Sequence, residues 1–550
     1  MISDYRDGTT PSDIAADLCI IGSGAAGITV AHAFLGTAVR LCIVESGGMA
    51  GEREIQDLYD CASVGPTALD AYNSRMRVFG GSCKLWGGGC IPLDRSDLLK
   101  RDWVPDSGWP ISHTELEHYY DKVRAFCRMD PHRIVNGVFS TESPLAPLPL
   151  DENKLINQRF VSIPVKFGDT YRTELERAPN ITVLLHANLL ELQARADGGS
   201  IEGARIGTLE GRRGTVLARH YVLACGGIEN ARLLLLSNSV MPRGLGNQND
   251  LVGRYFMDHP CGNLGKLFTD STHQVMQPYK RAHGEGDAPL FMEIGLSPHA
   301  QRARRMLNAR TRPFAVEAPL PGGIHALRSL RAALRKPVVD EERRMVQQLQ
   351  QAMLHRGMTN GTAAAAPSEN IASLLLRVGL GINDIARAWV RKRADRPTVC
   401  TSHLDLMGYF EQAPNPLSRV TLGDDLDALG QRKARVDWRF TALDRHTFRA
   451  AATVFGEEVA RVCNGRFEPN PWLADDSQPA QVNGTAHHMG TTRMADDPRE
   501  GVVDRHCRVH GIDNLHVAGS SVFPTGGWAF PTFTIVALSQ RLAEMLHVLL

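Results

Sequence analysis

Residues 17–45 read DLCIIGSGAAGITVAHAFLGTAVRLCIVE, and this stretch holds every part of a dinucleotide-binding βαβ start in order. Leu18 to Ile21 is a short apolar run of the kind that forms a buried parallel strand. Gly22, Gly24 and Gly27 follow as G-x-G-x-x-G. The first glycine permits a tight turn, the second lets a pyrophosphate approach the backbone, and the third lets helix and strand pack closely. Ile28 to Leu35 reads as the helix whose N-terminus faces the phosphates. Leu41 to Val44 reads as a second strand ending in Glu45, eighteen residues beyond Gly27, where a ribose hydroxyl needs an acceptor. A carboxylate there disfavours a 2′-phosphate.

A chain of 550 residues is too long for one compact core, which predicts two domains. Its 61 Lys and Arg nearly balance 60 Asp and Glu, so no overall field points to nucleic acid or another polyanion as partner. The eleven cysteines are scattered, with no C-x-x-C pair, haem-attachment motif or zinc-like spacing. No metal site is expected, and a reduced compartment suits these cysteines better than a disulfide scaffold. The N-terminal residues carry no signal-peptide pattern, and no apolar run reaches the ~18 residues a membrane span needs. The expectation is a cytoplasmic protein without a transmembrane segment.

Further along, VFGGSCKLWGGGCIPLD (78–94) sets five glycines around one tryptophan, a pattern for close backbone approach to something flat or charged. Ser112 or His113 opens a helix that carries Leu116, Tyr119, Tyr120 and Val123 on one face and reads as packing. Successive strands run from Ile181 to Cys225, followed by a helix over Glu229 to Leu236. Strands interleaved with helices at both ends of the chain predict an α/β domain interrupted by a large insertion. Within that insertion, Arg302 to Arg344 holds eleven basic residues against four acids, with Leu327, Leu330 and Leu334 at helical spacing. This stretch reads as a solvated helix face rather than a surface for an anionic membrane or a partner. GTAAAAP (361–367) resembles a flexible link, and ARAWVRKRADRP is a basic helix closing the insertion at Pro397. Residues from Glu411 onward alternate like antiparallel strands, and Thr441 to Cys463 reads as a helix. The expected division is a first domain of 1–95, 160–265 and 480–550, and a substrate domain of 96–159 and 266–479 with the Arg-rich helical insertion at about 300–397.

The C-terminal segment, AHHMGTTRMADDPREGVVDRHCRVHGIDNLHVAGSSVFPTGGWAFPTFTIVALSQRLAEML (486–546), resembles the glucose-methanol-choline (GMC) oxidoreductases, as does the rest of the chain apart from the Arg-rich insertion. The resemblance implies an α/β FAD-binding (Rossmann-like) domain with an inserted α+β substrate domain containing an antiparallel sheet. It assigns the active-site histidine to His487, in the run His487, Gly490, Thr491, Met494. Gly519 and Ser520 match positions that meet the FAD phosphates, with Pro531 and Thr532 following in the same return to the flavin-binding domain. Gly80, Gly81, Ser82, Trp86 and Gly87 match the loop over the flavin ring, and Asn188 and Leu189 the adenine-side contact. The residues alone lead to a similar place: this fold is built to hold one large extended cofactor, and histidine suits the proton of a substrate hydroxyl beside a hydride acceptor. His488 reads as a neighbour of the base, not a second base.

Two departures from the family pattern carry consequences. Leu85 precedes Trp86 where some relatives have a histidine that bonds FAD, so the resemblance implies a non-covalent cofactor. Phe530, in Trp528-Ala529-Phe530-Pro531-Thr532, stands where the family usually has Asn or His, and phenylalanine cannot hydrogen-bond a substrate oxygen. Phe530, His488 and Trp528 are the expected substrate-pocket residues. The expected reaction moves a hydride from an alcohol carbon of a sugar, glycoside or secondary-metabolite hydroxyl to flavin N5, with His487 as base. The partners are then a small-molecule alcohol and an electron acceptor, whether oxygen, a quinone or a protein. A flavin-bearing scaffold with altered or lost chemistry, kept open by Phe530, and a NAD-dependent dehydrogenase are the alternatives.

Overall fold

Leu18–Ile21 and Leu41–Val44 lie side by side as parallel strands, in register from Leu18 with Leu41 to Ile21 with Val44. All eight side chains are buried, because helices cover both faces of such a sheet and leave no position for alternating polar residues. The helix between them, Ala25–Ala33, starts directly after Gly24, three residues earlier than expected. Gly27 therefore sits in its first turn, where a Cβ would lie 1.9 Å from the Gly22 carbonyl oxygen. Only glycine lets this helix cross the strand end so closely. The structure is a computed structural model that describes residues 1–129, 134–135, 138–139, 146–163, 165–279, 290–334, 345–346, 348–349, 370–393, 398–475 and 477–550.

Six parallel strands form the first sheet, in the order Ile2–Asp4, Ile181–Leu185, Leu41–Val44, Leu18–Ile21, His220–Leu223, Leu515–Val517. The C-terminal strand thus returns to the N-terminal domain, and the last helix, Pro531–Leu549, packs on Ala25–Ala33. The second large sheet has seven strands, all paired antiparallel: Arg466–Pro469, Cys261–Phe268, Thr401–Phe410, Ala309–Glu317, Leu290–Leu296, Leu155–Ser162 and Gly89–Cys90. Two of these strands run across the expected boundaries at 160 and 265, and Gly89–Cys90 joins the sheet from within the expected 1–95 segment. Helix Ala442–Val462 covers this sheet. Thr441 and Asp444 form its reciprocal capping box, and Phe448, Phe455 and Val459 enter a core with Leu264, Ile294 and Leu404. The helix read at Ser112 also forms, over His113–Phe126, with the Ser112 hydroxyl accepting from the Glu115 amide at 3.2 Å.

The Arg-rich stretch departs from the expected solvated helix face. Residues Ala309–Glu317 are a strand at the middle of the seven-stranded sheet, and strand alternation sends Arg310 and Arg312 to the same side, into the interior cavity. Arg310 is 3 % exposed. Basic residues can be read from composition, but their burial depends on sheet register. The helix that does form, Gly322–Ala333, buries Ile324, Ala326 and Leu330, and leaves Leu334 exposed in place of the expected Leu327, Leu330, Leu334 face. Arg328 on it is ion-paired with Glu317. Arg335, Lys336, Arg343, Arg344, the 361–367 link and the 394–397 end of the basic helix lie outside the described residues.

Candidate active site

A cavity of about 650 Å³ opens between the carboxyl ends of the parallel strands and one face of the antiparallel sheet. Gly22, Ser23 and Gly24 line one end of it, with Gly81, Ser82, Gly519 and Ser520 close by. A Cβ at Gly24 or Gly519 would meet nothing within 4 Å, so the backbone there faces open space, and Gly519 has a φ of +111°. This is a cradle into which a phosphate could come close to amide groups. Glu45 is buried at the same end and accepts hydrogen bonds from the Ser23 amide (3.0 Å), the Ser23 hydroxyl (2.6 Å) and the Gly47 amide (2.8 Å).

Three buried arginines, Arg75, Arg77 and Arg232, line the cavity around Glu229. Glu229 pairs with Arg75 at 3.0 Å, Arg77 at 2.9 Å and Arg232 at 3.2 Å, while Arg232 also reaches Asp427 at 2.5 Å. Three cations against two carboxylates leave one positive charge in excess, and the Arg77 Nε is buried without a partner. The Oδ1 of Asn188, also on the cavity wall, is another buried atom without a partner. An anionic diphosphate with a hydrogen-bonding base suits this donor set, and FAD fits it. Asn188 would then serve the adenine, the glycine cradle the diphosphate, and Glu45 the ribose.

At the opposite end, Trp86 and Gly87 face the cavity together with His487, His488 and Phe530. Trp86 is anchored by its indole N–H donating to the Val165 carbonyl at 3.0 Å. His487 Nδ1 lies 3.0 Å from the Thr485 hydroxyl and 3.1 Å from His259 Nδ1. Its amide donates to Asp258 at 2.9 Å, and the same carboxylate accepts from the Thr485 amide and hydroxyl at 3.2 Å. Burial, then the charges of His259, Arg310 and His488, push the His487 pKa well below the usual 6.5, although the ring is open to the cavity. Burial and Arg310 likewise lower His259 to about 3.

Phe530 stands 5.8 Å from the His487 ring, edge to face, and 5.1 Å from Phe160. The Arg310 guanidinium sits 4.6 Å above Phe530 and 4.2 Å above Tyr409, and it is ion-paired with Glu293. Burial lowers the Arg310 pKa to about 10, which keeps it cationic at neutral pH.

Most of the residues read from the motifs meet at this cavity. Gly22, Gly24, Glu45, Gly81, Ser82, Trp86, Gly87, Leu189, His487, His488, Gly519, Ser520, Phe530, Pro531 and Thr532 all line it. Gly27 and Gly80 do not. Gly27 serves the helix crossing, and Gly80 donates its amide to the Ser23 hydroxyl at 3.2 Å. Trp528 is 2 % exposed, packs behind the wall and donates to Asp94 at 2.9 Å instead of facing the cavity. His488 is held by the Ser74 hydroxyl at 3.4 Å. Motif reading missed His259, Arg310, Glu293 and the Glu229 cluster. The Asp258-His259-Pro260 run carried the only local hint, a histidine between an acid and a proline.

The cavity lies between a parallel and an antiparallel sheet, and its lining suits a dinucleotide cofactor. Residues 414–539 match the family model for GMC oxidoreductases. The chain is 22% identical to 6'''-hydroxyparomomycin C oxidase of Streptomyces lividus, over 98% of this chain and 92% of that protein. It is 26% identical to 2-methyl-1,2-propanediol dehydrogenase of Mycolicibacterium austroafricanum over 65% of this chain, a match that spans about half (53%) of that relative. In fold it is like formate oxidase, with a TM-score of 0.52 and 19% identity, covering 98% of this chain and 99% of that one. The family match is thus to the C-terminal segment of this chain, and the similarity over the rest is to proteins named as oxidases and dehydrogenases.

Proposed function

We propose that the chain binds FAD without a covalent bond and oxidises the CH–OH carbon of a small alcohol, with His487 accepting the hydroxyl proton. The observation that carries this reading is the hydrogen-bond network behind His487. Thr485 can donate its hydroxyl hydrogen to Asp258 or to the His259 carbonyl, at 3.2 Å each. Its oxygen then accepts from His487 Nδ1–H, which leaves the Nε2 lone pair to take a proton from the cavity side. Bound FAD would supply a hydride acceptor, N5 of its ring. The Arg310–Glu293 ion pair borders the same end of the cavity, and Phe530 forms an apolar wall beside His487. The relatives named for a propanediol and for hydroxyparomomycin C support a CH–OH donor. The test is anaerobic mixing of the yellow protein with a panel of alcohols: bleaching of the flavin is expected, and absence of bleaching by any alcohol overturns the reading.

The non-covalent attachment has its own test. Leu85 is buried with Met76 and Val78. Burial holds the thiols of Cys83 and Cys261, which face the cavity, up at about 12, so neither is a nucleophilic thiolate at neutral pH. Acid precipitation is expected to release all the flavin into the supernatant; colour kept in the pellet refutes this.

Two further outcomes follow from the same geometry. The working form of His487 is the neutral one, and its lowered pKa keeps it neutral as pH falls through 6.5. The acid limb of kcat/KM should therefore lie well below 6.5, and a half-loss at 6.5 or above speaks against His487 as base. Phe530→Asn adds an amide beside His487, so it should raise kcat/KM for small polyols by roughly tenfold, about 1.4 kcal/mol, and weaken substrates with an apolar face. Steady-state comparison on the same panel checks both directions.

A further inference from the structure

Seven of the seventeen large apolar side chains that are exposed among the described residues fall between 371 and 390. They sit on two successive helices, Ile371–Leu380 and Ile382–Arg393. The first, IASLLLRVGL, buries only Leu374 and half-buries Val378, against Ala326 and Leu330 of the helix Gly322–Ala333. Leu376 is 66 % exposed, Leu380 79 %, Ile382 63 % and Trp389 54 %. A short helix that is apolar nearly all round has no reason to show this surface to water.

The pair is firmly seated. A Cβ on Gly381, between the two helices, would lie 2.1 Å from the Cα of Gly323, so backbone packs directly on backbone there. The apolar surface is therefore presented by a built platform. Its charge is equally uneven. Residues 371–393 hold Arg377, Arg387, Arg391, Lys392 and Arg393 against the single acid Asp384, in a chain whose overall charge is +1. The Arg393 guanidinium stacks 3.9 Å over the Trp389 ring, which joins a cation to an amphipathic aromatic side chain. Exposed leucines beside a Trp and a run of arginines and lysine complement an anionic bilayer surface: acyl chains for the apolar side chains, phosphate headgroups for the cations. No helix among the described residues is long and apolar enough to cross a membrane.

We propose that this helical pair docks the protein on the surface of an anionic lipid bilayer, with Leu376, Leu380, Ile382 and Trp389 at the headgroup–acyl boundary. The surface is separate from the cofactor cavity, and the proposal does not depend on the reaction assigned above. It also differs from the Arg302 to Arg344 stretch, where Arg310 is buried in the cavity and Arg328 is neutralised by Glu317.

The test is co-sedimentation of the full chain with vesicles of phosphatidylcholine alone or with roughly one-third phosphatidylglycerol. Binding to the anionic vesicles at least about tenfold stronger than to neutral ones, weakened by salt, is expected. Leu376→Glu with Leu380→Glu should abolish it, and Arg387→Glu with Lys392→Glu should remove its salt sensitivity. Because these side chains are exposed, thermal unfolding followed by circular dichroism should match the wild type. Brominated lipid should quench wild-type fluorescence more than that of Trp389→Phe. Wild-type protein that stays in the supernatant with anionic vesicles overturns the proposal. So does a concentration-dependent dimer in sedimentation velocity that Leu376→Glu dissociates, since a second copy would then cover the face.

Discussion

His487→Ala is expected to leave FAD bound while slowing flavin reduction by alcohol by ~10² to 10⁴, the range for loss of a general base. The substitution removes a ring that borders the cavity at its Trp86 end, away from the glycine cradle, so cofactor occupancy should be unchanged. Its neighbours cannot take over. His488 is held at Ser74, and His259 does not line the cavity. Phe530, the other side chain against His487, has no proton acceptor. Stopped-flow reduction under anaerobic conditions measures the effect directly, with the flavin absorbance before mixing reporting occupancy. Reduction at the wild-type rate would remove His487 from its assigned role, and loss of flavin would move it to the binding site.

The second large effect is on stability. Glu229→Ala is expected to destabilise the fold by about 3 to 5 kcal/mol, because it leaves Arg75, Arg77 and Arg232 buried with Asp427 as their only carboxylate partner among the described residues. Against a typical total of roughly 5–15 kcal/mol this is a large fraction, and the midpoint of urea unfolding should drop accordingly. Burial alone would raise the Glu229 pKa, but Arg232, Arg77 and Arg75 together hold it down to about 2. A depressed carboxylate contributes stability that is fully present above its unfolded pKa, near 4.5, and is lost as pH falls through about 2. The gap between wild type and variant should thus be full at pH 7 and shrink below about 4.5. An unchanged urea midpoint at pH 7 would show that the cluster does not need its central carboxylate.

The parts of this protein that are legible in its sequence are those whose constraints are local. Gly22, Gly24 and Gly27 announce themselves because a turn, an open backbone and a helix crossing each exclude a Cβ within a few residues. Leu18 to Ile21 and Leu41 to Val44 are unbroken apolar runs because both faces of a parallel strand are covered. Ser112 and Thr441 cap their helices through partners three residues away. His487, Gly519 and Phe530 share one C-terminal segment whose order repeats a family pattern, so that segment alone is enough to place them.

What only the tertiary structure decided involves residues far apart in the chain or set by sheet register. Arg310 looks like one more surface arginine in a basic stretch, and it becomes a cavity residue because Ala309–Glu317 pairs in mid-sheet and alternation turns positions 310 and 312 inward. His259 meets His487 only when chain segments 228 residues apart are brought together. Glu229 acquires its three arginines from both near and distant sequence. Trp528, two residues from Phe530, points away from the cavity to Asp94. A motif records what a backbone requires of its own neighbours, while burial and charge pairing are properties of the packed whole, which is why the glycine turn and helix start could be read from the sequence and the electrostatics around His487 could not.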